Sequence, residues 1–293
     1  QNTGIMVKSN GNTIRGNEVM NNDHGINLYS STNNTIEGNN VRCNELNGII
    51  LRNSNNNTVN ENTVIDNENY GICLWSSRNN IMRDNHISRN KYNFEAHDNN
   101  DIDTSNLVDG QPVYYLVGAF DELIDPSSNA GVVYCKDCKN VTIIGLTIKN
   151  SSHGIRFENT SYSRIENNTV DYNFFGIRLE SSSNIIMRNN FMSANWYNFE
   201  AYGHNDIDTS NLVDGKPVYY LVGAFDETID SSSNAGVVYC EDCDNITLSG
   251  LTIKNNSYGI WLDNSSNSMV YNNKINYNDR GIHLESSRDN MIK

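Results

Sequence analysis

The tetrapeptide Gly48-Ile49-Ile50-Leu51 returns 23 residues later as Gly71-Ile72-Cys73-Leu74, and this spacing decides the fold of the chain. The same pattern, ending in leucine or phenylalanine, recurs elsewhere, in copies that begin at Gly25, Gly154, Gly176, Gly259 and Gly281. Where copies follow one another directly, they lie 22 or 23 residues apart. A unit of this length cannot bury its apolar side alone and does so by stacking on the next unit, as in a solenoid.

Two shorter apolar pieces lie between successive glycine units. One contains Thr35-Ile36 or Thr58-Val59, and the other resembles Asn62-Thr63-Val64. Each piece would pair in parallel with its counterpart one rung along, about 4.8 Å away. Parallel crossovers are almost always right-handed. The sequence therefore predicts an all-β, right-handed, single-stranded parallel β-helix of roughly twelve rungs, with three short strands per rung.

The composition fits this interpretation and excludes several others. Asparagine is abundant; it tolerates left-handed backbone at corners, and stacked asparagine side chains pair along the axis. Disorder is excluded because the apolar residues recur at fixed places. The net charge of −14 argues against a nucleic-acid partner, since phosphate binding needs Lys and Arg. No apolar run approaches the roughly 18 residues that a membrane span requires.

A longer repeat is superimposed on the rungs. Tyr92-Asn93-Phe94-Glu95-Ala96 returns 105 residues later as Tyr197-Asn198-Phe199-Glu200-Ala201. We predict one continuous β-helix over residues 1–293, with tandem copies at 71–175 and 176–280 and enlarged rungs at 97–130 and 202–235. Each enlarged rung carries an insert of roughly 15 residues, expected as a projecting loop of the kind that often binds ligands in solenoids. Pro112 and Pro217 lie in these inserts, where a missing donor is tolerated.

Alternation along each strand turns the third residue of the glycine unit outward, and the residue two positions later as well. The expected x column is Met6, Asn27, Ile50, Cys73, Glu95, Val133, Arg156, Arg178, Glu200, Val238, Trp261 and His283. The expected rim column is Lys8, Tyr29, Arg52, Trp75, His97, Cys135, Glu158, Glu180, Tyr202, Cys240, Asp263 and Glu285. Both columns are predicted to form one exposed face.

A mixed-charge patch stands out on this face. It consists of Arg156, Glu158, Arg178, Glu180 and Glu200. One interpretation is an enzyme site, with the carboxylates in acid and base roles and the arginines binding acidic sugars. The other is a ladder of cross-strand ion pairs of modest energy. The ladder is favoured, because a flat column supplies neither the cleft nor the perturbed environment that catalytic carboxylates use.

Aromatic residues on the same face suggest glycan contact. Trp75, Tyr202 and Trp261 offer apolar plates for sugar rings, and Arg156 and Arg178 offer donors for acidic sugars. The alternative is a set of ordinary aromatic side chains that cover a sheet.

The six cysteines include two C-x-x-C pairs, Cys135 with Cys138 and Cys240 with Cys243. One pair supplies only two ligands, whereas structural zinc takes four, so local disulfides or free thiols are the favoured interpretation. A weaker alternative adds His97 to Cys135 and Cys138 as a metal site. Calcium is a further alternative at Asp101 and Asp103, although Asp and Asn turns are the favoured explanation of these residues. No cofactor is predicted.

With the rungs laid out, the chain resembles the NosD-like parallel β-helix repeat proteins, also grouped as carbohydrate-binding and sugar-hydrolase (CASH) domains. The Asn33-to-Ile36 and Gly48-to-Leu51 rungs carry this resemblance, and the element from Asp101 to Tyr115 is similar to one found in surface proteins of methanogenic archaea. The resemblance implies the β-helix, export to the cell surface and sugar contact. Copper delivery, associated with NosD itself, is not carried over, because no cluster of Met, His or Cys supports it. The signatures of pectin-cleaving β-helix enzymes are missing.

The sequence favours an extracellular or cell-surface structural module that is not an enzyme, with a polysaccharide or surface glycan as its expected partner. A polysaccharide lyase or glycoside hydrolase, acting through the charged patch, is the alternative. A metal-binding accessory protein of NosD type is the second alternative. Unpaired parallel edges also predict either that flanking sequence continues the coil or that copies associate end to end.

Overall fold

The computed structural model describes residues 2–293, which form 39 strands and two 3-10 turns at Pro126–Ser128 and Ser231–Ser233. The strands before the first enlarged rung are β1 (Thr3–Val7), β2 (Thr13–Arg15), β3 (Glu18–Met20), β4 (His24–Tyr29), β5 (Thr35–Glu37), β6 (Asn40–Arg42), β7 (Ile49–Arg52), β8 (Thr58–Asn60), β9 (Thr63–Ile65), β10 (Tyr70–Trp75), β11 (Ile81–Arg83), β12 (His86–Ser88) and β13 (Tyr92–Ala96). The first enlarged rung contributes β14 (Asp101–Ile102), β15 (Leu107–Val108), β16 (Gln111–Val117) and β17 (Leu123–Ile124).

The remaining strands repeat this order. Those before the second enlarged rung are β18 (Val132–Lys136), β19 (Thr142–Ile144), β20 (Thr147–Lys149), β21 (His153–Glu158), β22 (Arg164–Glu166), β23 (Thr169–Asp171), β24 (Phe175–Glu180), β25 (Ile186–Arg188), β26 (Phe191–Ser193) and β27 (Tyr197–Ala201). The second enlarged rung holds β28 (Asp206–Ile207), β29 (Leu212–Val213), β30 (Lys216–Val222) and β31 (Thr228–Ile229). The last strands are β32 (Val237–Glu241), β33 (Thr247–Ser249), β34 (Thr252–Lys254), β35 (Tyr258–Asp263), β36 (Met269–Tyr271), β37 (Lys274–Asn276), β38 (Arg280–Glu285) and β39 (Met291–Ile292).

The chain divides into two compact units. Unit 1 comprises the chain up to Val117 together with Ser127–Lys136 and Ile148–Gly154. Unit 2 comprises Gly118–Pro126, Asp137–Thr147 and Ile155–Lys293.

Unit 1 has the three faces that the sequence predicts. Face A is the sheet β1-β4-β7-β10-β13, face B contains β2, β5, β8, β11 and β14, and face C contains β3, β6, β9, β12 and β15. The strands within each face pair in parallel, with Ile26 beside Ile49 and Ile49 beside Ile72. Identical side chains therefore stack from rung to rung, which is the arrangement that a 23-residue repeat requires.

Unit 2 repeats the same arrangement. Its face A includes β24 with β27 and β32 with β35 and β38, its face B includes β17-β19-β22-β25-β28, and its face C includes β23 with β26. All of these pairs are parallel. The prediction of a parallel β-solenoid is thus confirmed.

The inward residues of the three faces make the core. Ile49, Leu51, Ile72 and Leu74 are fully buried, as are Val64 and its counterparts on face C. Burying each such side chain contributes roughly 1.5–3 kcal/mol.

Asparagine side chains form ladders at the corners, as predicted. In one ladder the Nδ2 of Asn34 donates to Asn57 Oδ1 at 3.1 Å, and Asn57 Nδ2 donates to Asn80 Oδ1 at 3.1 Å. The backbone N–H of each asparagine also donates to the next Oδ1 along. Corner backbone groups that no strand can pair are satisfied in this way.

The enlarged rungs differ from the expected projecting loops. β15 and β16 form an antiparallel hairpin, in which Leu107 pairs with Pro112 across Asp109 and Gly110, both at positive φ. β29 and β30 repeat this hairpin in unit 2. Two residues at positive φ are the signature of a type I′ turn, and Asp-Gly is a preferred sequence for it. The projecting-loop prediction is therefore wrong: the insert is absorbed into the sheets.

The hairpin also shifts the register that the sequence predicts for the following strand. Val238 pairs with Ile260, Tyr239 with Trp261 and Cys240 with Leu262. Tyr239 therefore occupies the x column, while Val238 and Cys240 lie in the core. The expected outward positions of Val238 and Cys240 are wrong by one residue. In unit 1, Val133 and Cys135 are likewise buried and not exposed.

Candidate functional site

Much of the x column on face A is buried. Cys73 and Ile50 are 0% exposed and Asn27 is 4% exposed. On the same strand as Cys73, the rings of Tyr70 and Trp75 are in edge contact, with centroids 5.7 Å apart. The expected exposure of the x column is therefore wrong at these positions.

In unit 2 the predicted charged patch is a chain of ion pairs along face A. Arg156 contacts Glu158 at 3.0 Å and Glu180 at 2.7 Å. Arg178 contacts Glu180 at 2.9 Å and Glu200 at 3.2 Å. We call these five residues the face A ladder. Each arginine bridges two carboxylates, so the structure brings together every member of the predicted patch.

Two tyrosine hydroxyl groups extend the hydrogen-bonded network beyond the face A ladder. Tyr202 donates to Glu200 Oε1 at 2.6 Å, and its oxygen accepts from the Tyr258 hydroxyl at 3.2 Å. Arg280 in turn donates to the Tyr258 hydroxyl at 2.7 Å. Burial and the adjacent Glu200 carboxylate raise the pKa of Tyr202, so this phenol remains a donor at neutral pH.

The members of the face A ladder differ in how deeply they are buried. Arg156 is 6% exposed and Glu200 is 2% exposed, whereas Glu158, Glu180 and Arg178 are partly open to solvent. A buried charge is stable only when it is paired and hydrogen-bonded. Because Arg156 and Glu200 are buried, each needs a charged partner. Arg156 has Glu158 and Glu180, and Glu200 has Arg178.

The aromatic residues predicted to stack on sugars are mostly enclosed. Trp261 is 2% exposed, because the rings of Tyr202 and Tyr239 lie 5.3 and 5.5 Å from it. The prediction that Trp261 and Arg156 present an open glycan-binding surface is therefore wrong. Trp75 lies under the Arg52 guanidinium at 4.9 Å. Trp75, Tyr202 and Arg178 are partly exposed, and glycan contact at these three stays a prediction.

In unit 1 the counterpart of Glu200 is Glu95. Its Oε1 contacts His97 Nε2 at 2.8 Å, so His97 takes the place that Tyr202 has in the second copy. Burial, followed by the nearby Glu95 carboxylate, raises the pKa of the Cys73 thiol well above its usual value. The thiol is therefore protonated and is a poor nucleophile or metal ligand.

The predicted metal ligands do not converge. Asp101 and Asp103 contact the Arg83 guanidinium at 2.7 and 3.0 Å, and Asp206 and Asp208 bind Arg188 in the same way. Within residues 2–293 no three His, Cys, Asp or Glu side chains are grouped to hold a metal ion. The calcium alternative and the site of His97 with Cys135 and Cys138 are thus not formed.

The cysteines are thiols in the structure. Cys243 hydrogen-bonds to Cys240, and this contact raises the pKa of the Cys240 thiol together with burial. Cys243 Sγ also lies 3.4 Å from the Glu241 carbonyl oxygen. A disulfide between Cys240 and Cys243, or between Cys135 and Cys138, stays a prediction.

Sequence reasoning missed a different group of aromatic residues. Trp196 and Tyr277 are 59% and 83% exposed, and both line a cavity at the corner between faces C and A of unit 2. A signal was present in the sequence, since Tyr277 occupies a corner position that asparagine or aspartate fills in several other rungs.

The chain matches a known protein family over most of its length. The family described as "Periplasmic copper-binding protein (NosD)" matches residues 1–110, 121–216 and 221–293. The chain belongs to the NosD family. The matched segments are interrupted near the β15–β16 and β29–β30 hairpins of the two enlarged rungs. No curated protein matches the chain.

Solved structures with similar folds include carbohydrate-active enzymes. The A-module of mannuronan C-5 epimerase AlgE6 from Azotobacter vinelandii is 15% identical, with a TM-score of 0.30, and the match covers 96% of this chain and 62% of that one. DFA-IIIase from Arthrobacter chlorophenolicus A6 is 11% identical over 91% and 56% of the two chains, with a TM-score of 0.26. Alginate lyase from Paenibacillus sp. str. FPU-7 is 13% identical over 91% and 76%, with a TM-score of 0.26. These similarities concern the fold alone.

The family description implies copper, but the residues described here do not fit a copper centre. Soft thiolate, thioether and imidazole ligands are what copper prefers. Cys73 is buried as a thiol, and His97 is engaged with Glu95. The copper chemistry of the family name therefore has no ligand set in residues 2–293.

We expect the purified protein to retain less than one equivalent of copper. Elemental analysis after incubation with copper under reducing conditions and then dialysis measures this. A Cys240→Ser and Cys243→Ser double variant is the control, because those two thiols are adjacent. One tightly held copper that this variant loses would contradict the expectation.

Proposed function

We propose that this chain is a non-catalytic β-solenoid module of the cell envelope, in which the face A ladder holds successive rungs together. The observation that carries the proposal is the pairing pattern: Arg156 and Arg178 each bridge two carboxylates. A general acid or base needs a carboxyl group free to exchange a proton with the substrate. Carboxylates held by arginine on successive strands are instead suited to cross-strand stabilisation.

The envelope location is supported by the family description, which places NosD proteins in the periplasm. No helix within residues 2–293 is long and apolar enough to cross a membrane. The proposal extends this location to the extracellular or cell-surface side, where a glycan is the expected partner.

In the alternative, the chain is a polysaccharide lyase or hydrolase that acts through Glu158, Glu180 and Glu200 with the two arginines. The two hypotheses predict opposite results for Glu180→Gln. If the ladder is structural, neither the parent protein nor this variant releases unsaturated or reducing ends from alginate or polygalacturonate. The variant should instead lose about 1–3 kcal/mol of unfolding free energy, because the buried Arg156 loses one of its two carboxylate partners.

Glu166→Gln is the matched control for stability. Glu166 pairs with Arg164 at 2.7 Å, but half of the Arg164 side chain is exposed. Removing this pair should cost less than about 1 kcal/mol. Urea unfolding measures both variants. Glycan cleavage that Glu180→Gln or Glu158→Gln abolishes would overturn the non-catalytic proposal.

A further inference from the structure

A cavity of about 350 Å³ opens at the corner between faces C and A of unit 2, away from the face A ladder. The residues that line it are Ala194, Asn195, Trp196, Tyr197, Asn255, Tyr277 and Asn278. We call it the corner cleft. Its volume lies within the roughly 300–1,000 Å³ typical of small-molecule sites.

The aromatic walls of the cleft are exposed and supported from behind. Trp196 is 59% exposed, and the ring of Phe174 stacks on it at 6.4 Å with an interplanar angle of 19°. Phe174 also makes an edge contact with Tyr197, at 5.4 Å between centroids. The indole is thus held in place while its accessible surface remains open to solvent. A large apolar plate left exposed in this way is typical of a binding surface.

Tyr277 stands in a strained backbone position. Its φ is 54°, and Tyr172, which lies 105 residues earlier, has a φ of 56°. The same corner of other rungs holds Asn21, Asp66, Asn150 and Asn255, residue types that tolerate the left-handed region, and also Cys43, Arg89 and Ala194. A bulky residue at positive φ carries a cost in folding that its exposed ring does not offset. Such strain is concentrated at functional sites.

Amide groups complete the cleft, and none of its lining residues is charged. Asn255 Nδ2 donates to Asp214 Oδ2 at 2.7 Å, which fixes the orientation of the amide. Among the described residues, Asn255 Oδ1 accepts no hydrogen bond, so this acceptor remains for a ligand. Asn278 Oδ1 accepts from the Asn256 N–H at 3.0 Å, which orders the opposite wall.

We propose that the corner cleft binds a neutral hexose unit of a glycan. The apolar face of the sugar ring would pack on Trp196 and Tyr277, and a hydroxyl would donate to Asn255 Oδ1. An uncharged lining on a protein of net charge −14 disfavours acidic sugars, whose carboxylates would find no cation here. This inference deepens the proposed function and rests on its expectation of a glycan partner, although the cleft and the face A ladder share no residue.

The first copy of the 105-residue block provides an internal comparison. Lys91 stands 105 residues before Trp196, and Arg89 stands 105 residues before Ala194. The equivalent corner of unit 1 therefore lacks the indole plate, and the ammonium group of Lys91 lies over the ring of Tyr92 at 5.3 Å. We expect neutral sugar binding at the second copy alone.

Isothermal titration with cellohexaose and mannohexaose tests the proposal, with trigalacturonate and a proline-rich peptide as competing ligands. We expect saturable binding of at least one neutral hexasaccharide and none of trigalacturonate. Trp196→Ala and Trp196→Lys should weaken binding at least tenfold. Phe225→Ala, which removes an equally exposed ring elsewhere in unit 2, should leave it unchanged.

Tyr277→Asn separates a binding role from a structural one. Asparagine suits the positive φ, so this variant should melt at a higher temperature than the parent while it binds the hexasaccharide at least tenfold more weakly. Unchanged binding by Tyr277→Asn and Trp196→Ala would overturn the proposal. So would the absence of neutral sugar binding at millimolar concentration, or preferential binding of the proline-rich peptide or trigalacturonate. None of these outcomes depends on whether the face A ladder is catalytic.

Discussion

Gly48→Ala should unfold the protein or destabilise it by about 3 kcal/mol or more, because no space exists for a single added carbon. A Cβ at Gly48 would lie 2.4 Å from Val64 Cγ1 and 2.7 Å from the Gly71 carbonyl oxygen. The second contact is with backbone, which cannot move without disturbing the pairing of β7 and β10. Urea unfolding of the purified variant measures the loss.

Gly38→Ala is the matched control for this prediction. Gly38 has a φ of 62°, and nothing lies within 4 Å of the added carbon. Its cost should be that of left-handed backbone alone, about 1 kcal/mol. Equal destabilisation by the two variants would show that close contact at the Gly48 corner is not what requires glycine there.

Asn57→Ala should be nearly as damaging, at about 3 kcal/mol. The side chain of Asn57 accepts from the N–H and Nδ2 of Asn34, and it donates to the Ser31 carbonyl oxygen and to Asn80 Oδ1. Its removal leaves several fully buried polar groups unsatisfied, at about 1–3 kcal/mol each, offset in part by relaxation. Thermal and urea unfolding measure the change.

Asn12→Ala tests the same ladder at its exposed first position. Asn12 is exposed, and its Nδ2 donates to Asn34 Oδ1 at 2.9 Å, but this oxygen keeps the bond from the Asn12 backbone N–H at 2.9 Å when the side chain is removed. We expect a loss below about 1 kcal/mol. If Asn57→Ala were as mild as Asn12→Ala, the buried ladder would contribute little to stability.

The fold was predictable because the two-residue alternation of the strands and the rung length of 22 or 23 residues are both visible in the sequence. Ile49 and Leu51 recur at a fixed spacing, and a stack of parallel strands is what allows all copies to be buried. The hairpin in the enlarged rung was also within reach, since Asp109-Gly110 between apolar residues is a hairpin signal. Because this segment was treated as a loop, Val133 and Cys240 were predicted to point outward, whereas both are buried.

The candidate sites were harder to predict, because they depend on the register after the hairpin and on contacts between side chains of different rungs. Trp261 alternates outward in sequence, but its burial is created by Tyr239, which enters the x column only after the hairpin shifts the register. Trp196 and Tyr277 are far apart in the chain, and they lie at corners and not in the two outward columns. Only the stacking of corners brings them to one cavity. The ion pairs of Arg156 and Arg178 were foreseen because they follow directly from the rung spacing.

The asparagine ladder also gives the solenoid an electrical polarity. Every amide in the Asn34, Asn57 and Asn80 series points its Nδ2 toward the following rung, so the side-chain dipoles add head to tail. Chains of aligned hydrogen bonds polarise one another. Inside a run of rungs each amide is polarised from both sides, whereas a terminal amide has one neighbour. Asn100 ends this series by donating to the Ser77 and His97 carbonyl oxygens instead of another asparagine. Interior rungs should therefore be held more firmly than terminal ones, and fraying should begin at the two ends of each amide column.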